Sequence, residues 1–203
     1  MDRVRVNPRR THYTNTAIAL HWVSALLIAG GFVLGLTMVD LPVSPRKLQW
    51  YSYHKWIGVT VFGLVCLRLL WRLRHPVPLA PSGMRPWQRH VAGVTHWALY
   101  VLLFLIPLSG WLYSSASGYP VVYLGIKALQ LPDLVHKGKA MAQVLRLVHE
   151  LLNYTLLGLV LVHAGAALKH HFIDDDDVLR RMLPRRAVRS KARDESSCVA
   201  IDE

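Results

Sequence analysis

The last apolar segment of the chain reads VHELLNYTLLGLVLVHAGAALKHH over residues 148–171 and carries two histidines fourteen positions apart, His149 and His163. At ~3.6 residues per turn this spacing is almost four turns, so both imidazoles leave the helix on nearly one face. At ~1.5 Å of rise per residue they stand about 21 Å apart, near opposite sides of a hydrocarbon core ~30 Å thick. Ionisable side chains in spanning segments usually face the bundle interior. The segment is therefore predicted to ligate two stacked metal centres.

The rest of the chain repeats the apolar pattern between clusters of positive charge. The 203 residues are 53% hydrophobic yet carry a formal net charge of +12. The basic residues fall between long apolar blocks and do not interleave with aromatics, which indicates membrane topology and argues against nucleic-acid binding. The apolar runs lack the alternation of barrel strands, so the predicted fold is all-α, a four-transmembrane-helix bundle. The predicted spans are residues 16–39, 53–73, 91–115 and 148–171.

The distribution of basic residues predicts the direction of these spans. Sixteen Lys and Arg flank them on the side of the two termini, against seven on the other side. Both termini are therefore expected in the cytoplasm, with the protein in a bacterial inner membrane. The N-terminus lacks the apolar stretch and cleavage site of a removable signal peptide, so the first span is expected to be retained.

The connections and the tail complete the predicted domain organisation. Residues 1–186 are expected to form the membrane domain, and residues 187–203 a charged, disordered cytoplasmic tail. The proline-rich connector at residues 74–90 is expected to lie on the cytoplasmic side. The longest loop, residues 116–145, contains an apolar patch too short to span, which we expect to lie on the outer surface as a cap.

The topology assigns each histidine a depth. His21 and His163 are expected at the inner level, and His54 and His149 at the outer level, so two bis-histidine pairs emerge that can face the bundle core. The chain has no Cys-x-x-Cys-His motif, so any haem is expected to be held without a covalent bond, as haem b. Bis-imidazole ligation leaves the iron no open position, which favours electron transfer over oxygen activation.

Alternatives stay open for single residues. A histidine near a membrane boundary can also bond to headgroups or backbone carbonyls, and His96, at the start of the third span, can replace His21 as a ligand. Arg68 lies fourteen positions after His54 and is predicted at the level of His163. There it would pair with an inner haem propionate or a quinone carbonyl, or snorkel to the cytoplasmic interface.

These residues resemble the bacterial cytochrome b561 family of di-haem membrane proteins over residues 11–186. The resemblance is carried by TAIALHWVSALL around His21, YHKWIGV around His54, RLLWRLRHPVPLAP after Arg68, HWALYVLLFLIPLSGW from His96, and HELLNYTLLGLVLVHAGAALKHHF across His149 and His163. It implies two haem b groups, ligated by His21 with His163 and by His54 with His149. These are the pairs that depth alone predicts.

Residues 169–186 are similar to the end of the short stand-alone members of the family. That resemblance implies electron transfer from periplasmic superoxide to ubiquinone, with His170 at the quinone site. His170, His171 or the aspartates at 174–177 are candidates to relay protons to the quinone, although such a run of aspartates is more often a solvated helix cap beyond the membrane. The basic residues of the outer side are expected to attract the superoxide anion. No residue is assigned a catalytic role.

Three other functions use the same sequence features. The main alternative is a cytochrome b anchor subunit that docks a periplasmic hydrogenase or dehydrogenase and passes its electrons to quinone. A reductase of a periplasmic cytochrome would differ in substrate only. A haem-free structural membrane protein would need none of the histidine pairs.

Overall fold

A computed structural model describes residues 13–75, 78 and 84–183 of the protein. It contains four long helices, α1 (Asn15–Val39), α2 (Pro45–Arg74), α3 (Pro86–Ala116) and α4 (Lys139–Phe172). Within the described ranges the only β-type pairing is an isolated bridge between Val122 and Gln130. The predicted all-α four-helix architecture is therefore confirmed. The predicted tail at 187–203, the end of the predicted domain at 184–186 and two of the four prolines in the connector, Pro76 and Pro81, lie outside the described residues.

All four helices begin before the predicted spans, α1 by one residue, α3 by five, and α2 and α4 by eight and nine. α2 begins at Pro45, after the Ser44 side chain accepts a hydrogen bond from the Lys47 amide at 3.3 Å, whereas the predicted span begins at 53. α4 begins at Lys139, whereas the predicted span begins at 148. The hydropathy pattern identifies only the stretch that lipid would surround, so it does not include the more polar first turns of α2 and α4.

Each helix packs on the next one in the chain, which leaves a slot between α4 and the first two helices. α1 packs on α2, α2 on α3 and α3 on α4, whereas α4 has no comparable packing against α1 or α2. The buried core lies between the packed helices and consists of Val61, Val65, Leu102, Leu103, Ile106 and Leu156. The space between α4 and the first two helices is where the histidines meet.

The outward faces are apolar. All four helices are long and apolar enough to cross a membrane, with mean hydropathy of 1.6 to 2.1 in their most apolar windows. Large apolar side chains point away from the bundle, such as Leu26 at 72% and Leu161 at 65% exposure. Lipid is the solvent in which such surfaces are stable, so the protein is a multi-pass membrane protein.

Each end of the bundle is closed by a folded segment. At the end we call outer, residues 117–138 fold back on α2, where Trp56 Nε1 donates to the Val122 carbonyl at 2.7 Å. Lys55 Nζ also donates to the Tyr119 carbonyl there, at 2.9 Å. At the other end, called inner, residues 173–183 return to α1, where Trp22 Nε1 donates to the Met182 carbonyl at 2.7 Å. The predicted cap therefore packs against the outer end of α2.

Candidate functional site

Four histidines face one another in two pairs across the slot. The rings of His54 on α2 and His149 on α4 have centroids 6.3 Å apart and planes at 89°. The rings of His21 on α1 and His163 on α4 have centroids 6.4 Å apart and planes at 68°. The structure thus brings together the same two pairs that the sequence predicts, at the two levels of α4.

Both separations match those of two imidazoles sharing one metal ion. Ligands on opposite sides of a metal, each bound at about 2.0 Å, have ring centroids about 6 Å apart. His96 approaches His163 more closely, with centroids 5.2 Å apart. That gap is too short for a metal between opposed rings, so the geometry fits His21 better than His96 as the partner of His163. The donor set in each pair, two imidazoles facing one gap, fits a bis-histidine haem.

The outer pair is fixed by hydrogen bonds to backbone carbonyls. His54 Nδ1–H donates to the Gly31 carbonyl at 3.1 Å. His149 Nδ1 lies 2.9 Å from Ser109 Oγ and 3.1 Å from the Ile106 carbonyl. A carbonyl can only accept, so both Nδ1 atoms carry the proton and both Nε2 atoms are left free to ligate a metal.

Two glycines make room for these rings. A Cβ on Gly35 would lie 3.3 Å from His54 Cε1, and one on Gly110 would lie 3.0 Å from His149 Cε1. By contrast, a Cβ on Gly63 would meet nothing within 4 Å. Gly35 and Gly110 therefore allow α1 and α3 to approach the outer histidines closely. The sequence marks all of these glycines alike and does not single out these two.

The inner pair has no comparable backbone support. His21 Nδ1 is buried and has no hydrogen-bond partner among the described residues. His163 contacts the rings of His21 and His96, and His96 Nδ1–H donates to the Ala92 carbonyl at 2.6 Å. Arg68 lies within electrostatic range of both His21 and His163, at the level expected for it, with its guanidinium 5.5 Å from the centroid of the Tyr100 ring.

His170 stands about two turns beyond the inner pair on α4 and meets two carboxylates. Its Nδ1 lies 2.7 Å from Asp176 Oδ2 and 3.1 Å from Asp174 Oδ2. Lys169 Nζ also bonds Asp174, at 2.6 Å, and this hydrogen bond holds the pKa of the Asp174 carboxyl below its usual value. His171, the other candidate proton carrier, has a buried Nδ1 without a hydrogen-bond partner in the described chain.

A cavity of about 580 Å³ opens beside the outer pair. His54 and His149 line it together with Lys47 and Lys55, and most of its remaining wall is apolar. This volume lies in the usual range for small-molecule and cofactor sites. The two lysines are bonded to backbone carbonyls, and no carboxylate of the described residues pairs with them, so within this part of the chain their positive charges remain uncompensated at the cavity wall.

Comparison with known proteins gives consistent matches across most of the chain. A model of the family described as prokaryotic cytochrome b561 matches residues 12–185. Cytochrome b561 homolog 2 of Escherichia coli (strain K12) is 37% identical over 182 residues, which are 84% of this chain and 94% of that protein. Cytochrome b561 homolog 1 of the same strain is 29% identical and covers 86% of this chain and 98% of its own length.

One relative carries a more specific name. A protein of Yersinia pestis named Probable superoxide oxidase CybB is 29% identical over 180 residues. The match covers 86% of this chain and 97% of that protein. All three relatives are therefore matched along nearly their whole length.

Proposed function

The chain belongs to the prokaryotic cytochrome b561 family, and we propose that within it the protein is a di-haem superoxide:quinone oxidoreductase of the bacterial inner membrane. Family membership implies b-type haem and electron transfer in the membrane. The finer assignment places one haem b between His54 and His149 and another between His21 and His163. Support comes from the two matched ring separations and from the relative named as a superoxide oxidase.

The assignment of superoxide as the substrate rests on the positive charge of the outer cavity. Lys47 and Lys55 stand in its wall beside the outer histidines, and neither has a carboxylate partner among the described residues. A cleft of one sign of charge between low-dielectric walls concentrates small ions of the opposite sign and raises their encounter rate. Superoxide is such an anion, so these lysines would draw it to the outer pair.

The reaction balances with ubiquinone as acceptor. Two superoxide anions each lose one electron and become dioxygen, and ubiquinone gains two electrons and two protons to become ubiquinol. The bound haems would supply one-electron carriers at the two levels of α4. The outer reaction needs no proton, so both protons are required at the inner end alone.

His170 is the proposed quinone-site residue, as the family resemblance implies. The carboxylates of Asp174 and Asp176 face its Nδ1 and hold a proton there. Nε2 is then the atom left to face a quinone oxygen, as an acceptor in the neutral ring and a donor in the charged one. The topology we propose puts this end and both termini in the cytoplasm, where protons are supplied from water.

The test uses purified protein in detergent with ubiquinone and an enzymatic source of superoxide. We expect superoxide-dependent reduction of the quinone, which added superoxide dismutase abolishes. The rate should fall steeply with added salt, and Lys55→Gln should weaken that salt dependence. A protein that holds two haems but reduces no quinone under superoxide would overturn the substrate assignment.

The surface of the outer loop, residues 117–138, supports a second candidate function, an anchor subunit for a periplasmic hydrogenase or dehydrogenase. Three large apolar side chains stand out from it, Leu124 at 52%, Ile126 at 48% and Leu129 at 45% exposure. Exposed apolar clusters mark surfaces that meet a protein or a membrane. Stable co-purification with a redox subunit, lost in Leu124→Asn, would favour this function. A monodisperse protein with full superoxide-dependent activity would argue for the first.

A further inference from the structure

Two arginines meet at the inner end of the bundle beside one tyrosine ring. The guanidinium carbons of Arg68 and Arg72 each lie 5.5 Å from the centroid of Tyr100. The two charges are thus at most about 11 Å apart, one turn apart on α2, where like charges repel. Both residues are partly buried, so water compensates this repulsion incompletely.

No carboxylate in the described part of the chain pairs with either arginine. Three of the four aspartates beyond α4 are bonded elsewhere, Asp174 to Lys169 and His170, Asp176 to His170 and Asp177 to Arg180. A pair of half-buried guanidinium groups without an acidic partner is costly in a membrane protein. The two guanidinium groups therefore suit a bound anion with two negative charges.

The groups around Arg68 and Arg72 indicate where the anion would bind. Both arginines are within electrostatic range of His96 and Tyr13, and Arg68 is also within range of His21 and His163. The pair thus begins at the edge of the inner histidines and extends one turn toward the inner end. Burial raises the pKa of Tyr13, and Arg72 and Arg68 only partly oppose it, so its hydroxyl stays a neutral donor beside the arginines.

We propose that Arg68 and Arg72, with Tyr100 between them, form the binding site for the two propionate carboxylates of the inner haem. The proposal rests on the proposed function, because it takes a haem b between His21 and His163. Haem b carries two carboxylates on one edge, which matches two guanidinium groups in number and in charge. Guanidinium and carboxylate form the strongest charge-assisted hydrogen bonds available to side chains. A neutral quinone carbonyl would compensate neither charge, so the site selects the carboxylates.

The experiment is a redox titration of the purified holoprotein followed by visible spectroscopy. Positive charge beside a haem favours its reduced form, so removing it should lower the midpoint potential. We expect Arg68→Gln and Arg72→Gln each to shift the inner haem to lower potential, and the double variant to shift it furthest, with the outer haem unchanged. The two haems are told apart with His54→Ala, which should keep only the inner one.

Two variants serve as controls. Arg74→Gln removes an exposed charge from the same end of α2 and should leave both potentials unchanged. Arg68→Lys keeps the charge without the planar fork and should retain most of the potential. This variant separates loss of charge from loss of folding.

A lipid phosphate is the other anion with suitable chemistry. Unchanged potentials in the double variant, together with a fall in co-purified phospholipid, would overturn the propionate site in favour of a headgroup site. Unchanged potentials with unchanged phospholipid would overturn both. The titration needs neither superoxide nor quinone, so either result leaves the proposed activity to its own test.

Discussion

The outer and inner histidine pairs have nearly the same ring separation but opposite kinds of support. In the outer pair, carbonyls of Gly31 and Ile106 hold both rings through Nδ1. In the inner pair, His21 Nδ1 has no partner among the described residues, and the nearby positive charge is that of Arg68. The outer rings are therefore held by neutral hydrogen bonds, whereas the inner rings have the positive charge of Arg68 beside them.

This difference sets a direction for electrons. A hydrogen bond from Nδ1–H to a carbonyl makes the imidazole a stronger donor, which favours oxidised iron. Positive charge favours reduced iron. The carbonyl bonds lower the outer potential and Arg68 raises the inner one, whereas Lys47 and Lys55 in the wall of the outer cavity raise the outer potential. We expect the hydrogen bonds to outweigh the lysines because they act on the ligating rings themselves, so that electron transfer from the outer to the inner level is downhill.

The largest expected effect comes from removing a ligand. We expect His54→Ala and His149→Ala to lose the low-potential haem, and His21→Ala and His163→Ala to lose the high-potential one. Haem content should fall from about two to about one per chain, measured by pyridine haemochrome and a reduced-minus-oxidised spectrum. His96→Ala is the matched control and should keep both haems. Retention of both haems in His21→Ala, with loss of one in His96→Ala, would assign the inner ligand to His96.

A methyl group at Gly110 should disturb the outer pair alone. The added Cβ would lie 3.0 Å from His149 Cε1, closer than side-chain carbons normally approach, so the ring or α3 must shift. Such overpacking typically costs about 1–3 kcal/mol. We expect Gly110→Ala to loosen the outer haem, measured as faster transfer of that haem to an apo-acceptor. Gly93→Ala on the same helix meets nothing within 4 Å and should behave as wild type.

Sequence patterns predicted the parts of this site that bilayer thickness and helix periodicity control. The ~30 Å hydrocarbon core requires about twenty apolar residues per helix, which revealed four spans. The fourteen-residue spacing of His149 and His163 fixed two levels on one face. The polar first turns of α2 and α4 were missed, because they lie outside the stretch that the apolar pattern reports.

The support of each histidine could not be predicted in the same way. Every residue has a backbone carbonyl, so nothing in the sequence marks those of Gly31 and Ile106 as acceptors. Ser109 reaches His149 only because α3 packs on α4, and this register depends on the tertiary structure. Arg72 carried no signal of its own, because flanking arginines are typical of any cytoplasmic helix end.

Removal of the Ser109 hydroxyl should narrow the difference in midpoint potential between the outer and inner haems. Ser109 Oγ donates to the Ile106 carbonyl at 2.8 Å, so it must accept from His149 Nδ1–H, at 2.9 Å. Loss of this acceptor makes the imidazole a weaker donor, and a net hydrogen bond of this kind contributes about 1 kcal/mol. We expect Ser109→Ala to raise the outer potential slightly and leave the inner one unchanged in a redox titration.

Ser24→Ala is the matched control for that variant. Ser24 is equally buried and donates to the Leu20 carbonyl at 2.6 Å, but it bonds no histidine. It should change stability to a similar extent without changing either potential. A shift of both potentials in Ser109→Ala would show a general loosening of the bundle and would contradict the specific role of this hydroxyl.

The smallest expected effect concerns the segments that close the two ends. The Lys169 hydrogen bond lowers the Asp174 pKa in the folded protein, so the ionised carboxylate stabilises the fold above its unfolded pKa of about 3.9. That stabilisation is lost as the pH falls through the lower folded-state value. We expect residues 173–183 to loosen below about pH 4, measured as faster amide hydrogen exchange than in the same segment at higher pH, after correction for intrinsic rates.

The outer loop provides the internal control for this loosening. Its contacts with α2 come from Trp56, Thr60 and Lys55, none of which gains or loses a proton near pH 4. Exchange in residues 117–138 should therefore stay constant across the same range. In Asp174→Asn, residues 173–183 should exchange at the faster rate at every pH, because the carboxylate that binds Lys169 is gone. Equal acceleration at both ends would mean that acid loosens the whole bundle, and the inner closure would then not depend on this ion pair.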